Sequence, residues 1–140
     1  MEKSIHSRSK VVPALNRQTI NTATSTYGPA IDLLGYESVE IGILTDTITA
    51  AGSGATASLQ ESSTGAFAGE ENAVASAQQL GGSPVIDQDA DDNKAFRLGY
   101  VGKKRYIRVK VVSLASFNGS LSALAFLSNP VNAPVADQNT

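Results

Sequence analysis

Three short runs in which apolar and polar residues alternate restrict the fold of this sequence more than any other feature. They cover residues 39–46, 55–60 and 105–113. A period of two places successive side chains on opposite faces of a strand, so the pattern predicts strands with one buried face. In the third run that face carries Ile107, Val109 and Val111. Clusters of Gly and Ser separate the runs, which indicates an all-β chain folded as a single β-sandwich or barrel-like domain.

The dipeptide Asn118-Gly119 lies between the third run and an apolar segment at residues 121–127. Asn-Gly favours a type I′ turn, because both central residues of that turn need a positive φ. The sequence therefore predicts a β-hairpin whose two-residue loop pairs Phe117 with Ser120. Counted back along both strands, the register places three further pairs opposite each other: Ser113 with Leu124, Val111 with Phe126 and Val109 with Ser128.

The two ends of the chain differ from its middle. Residues 1–27 are polar, basic at the start and interrupted by Pro13, which indicates an extended N-terminal arm. Such an arm is either disordered in the isolated chain or ordered on a neighbouring subunit. In the second case its apolar residues are candidate partner contacts: Val11, Val12, Leu15 and Ile20. Residues 129–140 contain two prolines and are predicted to form an extended C-terminal tail, which leaves residues 28–128 as the β-sandwich domain.

Residues 70–81 contain a stretch with helical spacing. Glu70 and Glu71 suit a helix N-terminus, and Gly81 suits the position just after a C-terminus. The apolar residues between them recur at intervals near 3.6: Ala73, Val74, Ala77 and Leu80. The pattern predicts at most one short helix of one or two turns, and an irregular loop is the alternative.

The residues needed for common catalytic and metal sites are scarce. The chain has no Cys and a single His, His6, which lies in the predicted arm. This composition excludes disulfides and zinc sites built from thiolates or histidines. It also argues against a Ser-His-Asp or Cys-His arrangement, which needs an oriented histidine. We therefore expect no enzymatic activity, no catalytic residues, no cofactor and no bound metal.

The charge balance and the hydropathy pattern restrict the partners. The net charge is −2, whereas general nucleic-acid binding needs a strong basic excess. Apolar runs are far shorter than the roughly 20 residues of a membrane helix, and no apolar segment follows the charged N-terminus as in a secretory signal. We expect no nucleic-acid partner, no membrane partner and synthesis in the cytoplasm.

Two charged clusters are candidate binding sites. The acidic cluster at residues 87–92 has alternate carboxylates that can converge on Ca²⁺. An acidic surface loop is the simpler interpretation, because the EF-hand pattern fails at Asp92, where Gly is needed, and at Leu98, where Glu is needed. The main basic cluster predicts contacts with an acidic neighbouring protein. The alternative interpretation is that its residues face solvent and prevent a sheet edge from pairing with other strands. The basic cluster consists of Lys103, Lys104 and Arg105, together with Arg97, Arg108 and Lys110.

Three segments together resemble a known class of proteins. Residues 99–109 read Gly-Tyr-Val-Gly-Lys-Lys-Arg-Tyr-Ile-Arg-Val, residues 59–63 read Leu-Gln-Glu-Ser-Ser with Phe67 shortly after, and residues 123–134 form an Ala- and Pro-containing tail. The pattern resembles that of small β-rich structural proteins from the head modules of tailed bacteriophages, of the capsid decoration or cement type. The resemblance covers about residues 30–134, although the acidic segment after Phe67 is longer than expected.

The resemblance implies a virion structural protein located on the capsid surface. Its partners would be the major capsid protein and neighbouring copies of itself, in a homo-oligomer for which a trimer suits local three-fold positions. Two alternatives stay open. One is another virion component, such as a head-fibre base, a neck protein or a tail-tube protein. The other is a carbohydrate-binding β-sandwich module, which an aromatic content of 6% and the absence of Trp disfavour.

Overall fold

Two antiparallel sheets form the fold in the computed structural model, which describes residues 5–21, 23–67, 73–132, 135 and 138. Two short 3₁₀ segments accompany them, at His6–Arg8 and Asp89–Asp91. In chain order the strands are β1 (Ser9–Ile20), β2 (Ser25–Tyr27), β3 (Ile31–Asp32), β4 (Tyr36–Ala50), β5 (Ala55–Ser62), β6 (Gln79–Leu80), β7 (Val85–Ile86), β8 (Ala95–Tyr100), β9 (Tyr106–Ser113) and β10 (Asn118–Pro130).

The first sheet, sheet A, has the strand order β1-β10-β4-β8-β6. The second, sheet B, has the order β2-β9-β5-β7, and β3 also pairs with β9. Neither sheet closes into a barrel. The predicted all-β class and the β-sandwich are therefore confirmed. No helix among the described residues is long and apolar enough to cross a membrane.

The core lies between the two sheets and is built from the predicted alternation. The inward residues of β4 and β9 are buried, whereas their outward neighbours are exposed or half-buried. The inward residues of β10, which lies beside β4 in sheet A, face those of β9 across the core. Burial of each large apolar side chain contributes roughly 1.5–3 kcal/mol, so this alternation is the main source of stability. The fully buried large side chains include Ile41, Ile43, Leu59, Leu98, Ile107, Val109, Val111, Leu121 and Leu127.

The predicted hairpin over residues 105–127 is wrong. β9 belongs to sheet B and pairs with β2, β3 and β5, whereas β10 belongs to sheet A and lies between β1 and β4. Asn118 and Gly119 open β10 and form no two-residue loop. The side of β10 that faces the core is also reversed, because Leu124 and Phe126 point outward.

The chain crosses from sheet B to sheet A through residues 114–117. Ser116 has a φ of 66°, and the amide of Phe117 donates a 3.3 Å bond to the carbonyl of Leu114. The ring of Phe117 is buried at the point of crossing. Gly119 has a packing role there, since a Cβ on it would lie 2.7 Å from Cδ1 of Ile48. This crossing, anchored by the buried ring of Phe117, is found where the sequence predicted the Asn-Gly turn.

Most of the segment that the sequence separates as an arm is a strand of the domain. β1 pairs along its length with β10, with register shifts after Pro13 and after Leu15. Gly28 makes one of these irregularities possible, because its Cα lies so close to β1 that a Cβ would be 1.8 Å from the carbonyl oxygen of Ala14. Residues 9–20 are therefore ordered on their own chain.

The predicted tail and the predicted helix also look different in the structure. β10 continues to Pro130, so the first residues of the segment 129–140 are still part of sheet A. Of the predicted helical stretch, residues 70–72 lie outside the described residues. Ala73 forms an isolated bridge with Gln60, and a single turn at residues 75–78 leads into β6. The described part of the stretch therefore contains no helix.

Candidate functional site

A groove of about 600 Å³ opens at one end of the sandwich and is lined by part of the predicted basic cluster. One wall is the turn at residues 33–36, which joins β3 to β4. The other wall is the loop at residues 101–105, which joins β8 to β9. Each wall presents an exposed aliphatic side chain, Leu34 or Val101. The groove is therefore apolar at its mouth and carries cations along one side.

Local hydrogen bonds shape the first wall. The amide of Tyr36 donates to the carbonyl of Leu33 at 3.1 Å, and the amide of Leu34 donates to Oδ1 of Asp32 at 3.0 Å. Gly35 takes a φ of 89°, a conformation that favours glycine. This tight turn holds the side chain of Leu34 outward, so a short polar-apolar-Gly sequence builds an exposed apolar tip.

A paired arginine joins the two walls. Nε of Arg105 donates to Oδ1 of Asp32 at 2.9 Å and its Nη2 donates to Oδ2 at 2.8 Å. The hydrogen bond from Arg105 lowers the pKa of Asp32 to about 2. The carbonyl of Arg105 also accepts a 2.9 Å bond from the amide of Leu33. Arg105 therefore positions the walls, and its charge is neutralised within the chain.

Tyr100 forms the floor, and its hydroxyl accepts a 3.0 Å bond from the amide of Lys104. Burial raises the pKa of Tyr100 to about 12, with a further contribution from the carboxylate of Glu61. Gly102 lies against the same ring, because a Cβ on it would be 2.3 Å from the Tyr100 hydroxyl oxygen. The Gly-Tyr-x-Gly pattern at residues 99–102 thus has a packing reason: the loop must fold back over the tyrosine.

The two lysines provide the positive charge of the groove. Nζ of Lys104 donates to Oγ of Ser63 at 3.2 Å, and this serine is neutral. Lys103 is exposed and has no ion-pair or hydrogen-bonding partner in the described part of the chain. Glu37 is the acidic residue of the lining. With Arg105 neutralised by Asp32, the two lysines give this end of the molecule a positive charge available to a partner.

The predicted arm contacts are divided among three environments and do not meet the groove. Leu15 and Ile20 are buried in the core of their own chain, and Val12 packs against that core. Val11 is partly exposed on the outer face of sheet A. Leu15 and Ile20 are therefore core residues and have no surface to offer a neighbour. His6 lies in the exposed 3₁₀ segment before β1.

The carboxylates of the acidic cluster point to separate backbone partners. Oδ1 of Asp89 accepts from the amide of Ala51 at 3.1 Å, and Oδ1 of Asp92 accepts from the amide of Ile48. Asp91 is buried and accepts from Nζ of Lys94 at 2.9 Å and from two nearby amides. No group of three or more acidic, His or Cys side chains among the described residues is placed to hold a metal ion. The loop anchors the end of β4.

Sequence reasoning found the cations of the second wall of the groove and missed the first wall. Leu34 and Tyr36 carried no signal of function, although Gly35 after two leucines is a turn signal in hindsight. A second missed feature lies on the outer face of sheet B. There the guanidinium of Arg108 lies 4.1 Å from the ring centre of Tyr27 and 4.4 Å from that of Phe67. That stack joins three separate segments of the chain.

Comparison with known proteins adds a likeness of fold. No protein-family model matches the sequence, and no curated protein matches it. The crystal structure of the PBSX exported protein XepA matches with a TM-score of 0.57 and 12% identity over 100% of this chain and 44% of that chain. A subunit of the disulfide-linked pili of Bacillus endospore appendages matches with a TM-score of 0.47 and 11% identity, over 93% of this chain and 97% of that one. This chain thus spans less than half of XepA and shares its fold.

Proposed function

We propose that this chain is a structural protein of a tailed-bacteriophage virion and that it decorates the capsid. It acts by binding and not by catalysis. The contact site is the groove between residues 33–36 and 101–105, and the partner is the lattice of the major capsid protein. The observation that carries the proposal is the pair of lysines at the groove, which have no acidic partner in the described part of the chain, beside the neutralised Arg105.

Two likenesses support the phage context. The segment 99–109 resembles the corresponding strand of phage head-module proteins. In the structure it contains the end of β8, the loop that lines the groove and the start of β9. The second likeness is to the PBSX exported protein XepA, whose fold this chain shares. Both support a phage-related structural role, and the capsid as its location is the more specific part of the proposal.

The groove favours a particular kind of partner segment. Its exposed aliphatic residues, Leu34 and Val101, suit an apolar side chain of the partner, and Lys103 and Lys104 suit a neighbouring carboxylate. A loop with one apolar residue next to an acidic residue meets both needs. A contact limited to this groove is smaller than a standard interface, which buries about 1,600 Å² in total. In a capsid lattice the contact is repeated many times, so multivalency compensates for a modest affinity per site.

A charge reversal at the groove tests this proposal. We expect the double substitution Lys103→Glu and Lys104→Glu to reduce binding to undecorated capsids at least about tenfold, since it replaces attraction with repulsion at the rim. The matched control compares the single reversals Lys103→Glu and Lys110→Glu, which change the net charge equally, because Lys110 lies on the outer face of sheet B and does not line the groove. Binding is measured by co-sedimentation with capsids, at two salt concentrations, because rim charges act more weakly at high salt.

Particle stability and stoichiometry test the biological role. Capsids stripped of the protein should rupture at lower temperature or under milder osmotic shock than decorated capsids. Unchanged stability contradicts the cement role. Copy number separates the alternatives within the virion, since hundreds of copies indicate a lattice protein, whereas six or twelve indicate a ring on the portal axis.

A further inference from the structure

The outer face of sheet A carries a group of apolar side chains that no described residue covers. Such faces are usually polar in a sandwich, because only the inner face packs on the core. Here Val11 is 38% exposed, Leu44 51%, Leu124 48% and Phe126 39%. Pro13, two residues after Val11 on β1, is also exposed. We call these five residues the outer patch.

The strand register makes the outer patch continuous. On β10, Phe126 faces Val11 of β1 and Leu124 faces Pro13. On the other side, Leu124 faces Gly42 of β4, and a Cβ on that glycine would lie 3.5 Å from the Phe126 ring. Leu44 follows Gly42 on the same face of β4. The patch therefore forms one flat surface across three strands, with Leu124 at its centre.

The charges at the border of the outer patch are balanced. Glu40 and Arg97 form a pair at 3.7 Å on β4 and β8, and Arg17 of β1 pairs with Asp46 of β4. Each pair has zero net charge, so the face repels neither another copy of itself nor any other neutral surface. A strongly acidic or basic partner gains little from such a border. The charge pattern therefore favours self-association.

The positions of two border charges fit a two-fold axis. Glu40 lies one strand from Leu124 on the β4 side and faces Phe126, two residues along β10. Arg17 lies one strand away on the opposite side, on β1, between the residues that face Ala123 and Leu121. A two-fold axis that lies in the plane of the contact, passes over Leu124 and runs at right angles to the line from Glu40 to Arg17 places each of these two positions opposite the other one in the partner copy. Glu40 of one copy then meets Arg17 of the other, and the same contact occurs twice.

The area of the face can be compared with that of known interfaces. With its charged border the face covers the four strands β1, β10, β4 and β8. At a spacing of about 4.8 Å, and with about six residues along each strand at a rise of about 3.4 Å, this gives roughly 20 by 20 Å in projection. Two copies packed in this way bury on the order of 1,000 Å² in total, at the lower limit for a specific interface. A reversible, concentration-dependent association is the expected result.

We propose that two copies of this chain pack through the outer patch, with Leu124 and Phe126 at the centre and Glu40 of each copy against Arg17 of the other. The contact is isologous, so it joins copies in pairs. It does not depend on the virion role, and it leaves the groove at the end of the sandwich free.

Sedimentation of the purified chain alone tests the proposal over a wide concentration range. Phe126→Lys is expected to raise the dissociation constant of self-association at least about tenfold, because it places a charge at the centre of the face. The matched control is Val85→Lys, which changes a side chain of similar exposure on β7 of sheet B and should leave association unchanged. Circular dichroism confirms that both variants are folded.

A charge exchange tests the two-fold arrangement itself. Glu40→Arg should weaken association, because it places an arginine of one copy opposite Arg17 of the other. Adding Arg17→Glu in the same chain restores opposite charges and should recover most of the lost affinity. A chain that stays monomeric at every concentration overturns the proposal, as does an equal effect of Phe126→Lys and Val85→Lys. Loss of capsid binding by Phe126→Lys in a chain that never self-associates assigns the face to another partner and also overturns it.

Discussion

The hydroxyl of Tyr100 donates a 2.6 Å hydrogen bond to Oε2 of Glu61 and so connects the two sheets, because Tyr100 ends β8 in sheet A and Glu61 lies on β5 in sheet B. Tyr100→Phe removes this bond and leaves the Lys104 amide without its acceptor. We expect a loss of about 1–2 kcal/mol in the free energy of unfolding, measured by urea denaturation. Tyr106→Phe is the control.

Burial of the Tyr100 hydroxyl, together with its bond to Glu61, predicts a dependence of stability on alkaline pH. The pKa of Tyr100 in the folded chain is raised from its usual value of 10 to about 12. Its contribution is therefore complete below pH 10 and is lost as the pH rises through about 12. Stability of the native chain should fall across this window, and the fall should be smaller in Tyr100→Phe. An identical alkaline transition in both proteins contradicts the assignment.

Asp91 holds the acidic loop together through hydrogen bonds within the chain, so its replacement should lower the free energy of unfolding. Asp91→Asn keeps the shape but removes the charge that accepts from Lys94 and from two amides, so we expect a loss of about 1–3 kcal/mol. The Lys94 hydrogen bond lowers the pKa of Asp91 below its usual 3.8, so this stabilisation is present above that pH and is lost on acidification. Thermal melts at pH 7 and pH 3 measure the difference, which should shrink at pH 3. Asp87→Asn, in the same loop, should have little effect.

Calcium should not stabilise the chain, because the carboxylates of residues 89–92 point to different backbone amides. We expect the same melting temperature in millimolar CaCl₂ and in EGTA, measured by differential scanning calorimetry. A rise that saturates with calcium concentration shows that the loop rearranges into a site.

Gly28 permits the contact between β1 and the segment that follows β2. Gly28→Ala introduces a Cβ that meets the Ala14 carbonyl, and both atoms belong to rigid backbone. We expect a loss of roughly 3 kcal/mol or more in the free energy of unfolding. β1 cannot move without breaking its pairing with β10, and Gly28 cannot move without breaking its hydrogen bond to the carbonyl of Val109. Gly82→Ala is the matched control, because a Cβ there meets nothing within 4 Å. Equal melting temperatures of the two variants disprove the close approach.

Arg108 joins β9 to β2 and to the segment around Phe67 through two aromatic faces and a 2.7 Å bond to Oε1 of Gln60. Arg108→Lys keeps the charge but loses the planar stack, and we expect it to cost about 1 kcal/mol. Arg97→Lys, at a highly exposed arginine, should change stability by less than about 0.5 kcal/mol. Chemical denaturation of the two variants provides the comparison, and equal midpoints would falsify the role of the stack.

The basic cluster shows how far charge alone can predict a site. Lys103 and Lys104 are close in sequence, so their proximity in space needed no tertiary information. Their partners in the groove come from residues 33–36, about 70 positions away, and only the pairing of β3 with β9 brings that turn near. Arg105, which follows them in the sequence, is neutralised by Asp32, the last residue of β3 before that turn. Local sequence cannot distinguish it from the two available lysines.

The alternation of side chains was sufficient to predict which residues of β4 and β9 are buried, because a strand with one buried face needs a period of two whatever its neighbour is. In β5 it predicted the burial of Ala55, Ala57 and Leu59 and missed that of Gln60. Because that period does not depend on the neighbour, the alternation could not say which strands are neighbours. Residues 121–127 carry apolar side chains on both faces, so this segment fitted a hairpin with residues 105–113 as well as it fits a strand of the other sheet. The buried ring of Phe117 and the long pairing of β10 with β1 and β4 decided the matter in the folded chain. That pairing also drew residues 9–20 into sheet A and turned Leu124 and Phe126 outward.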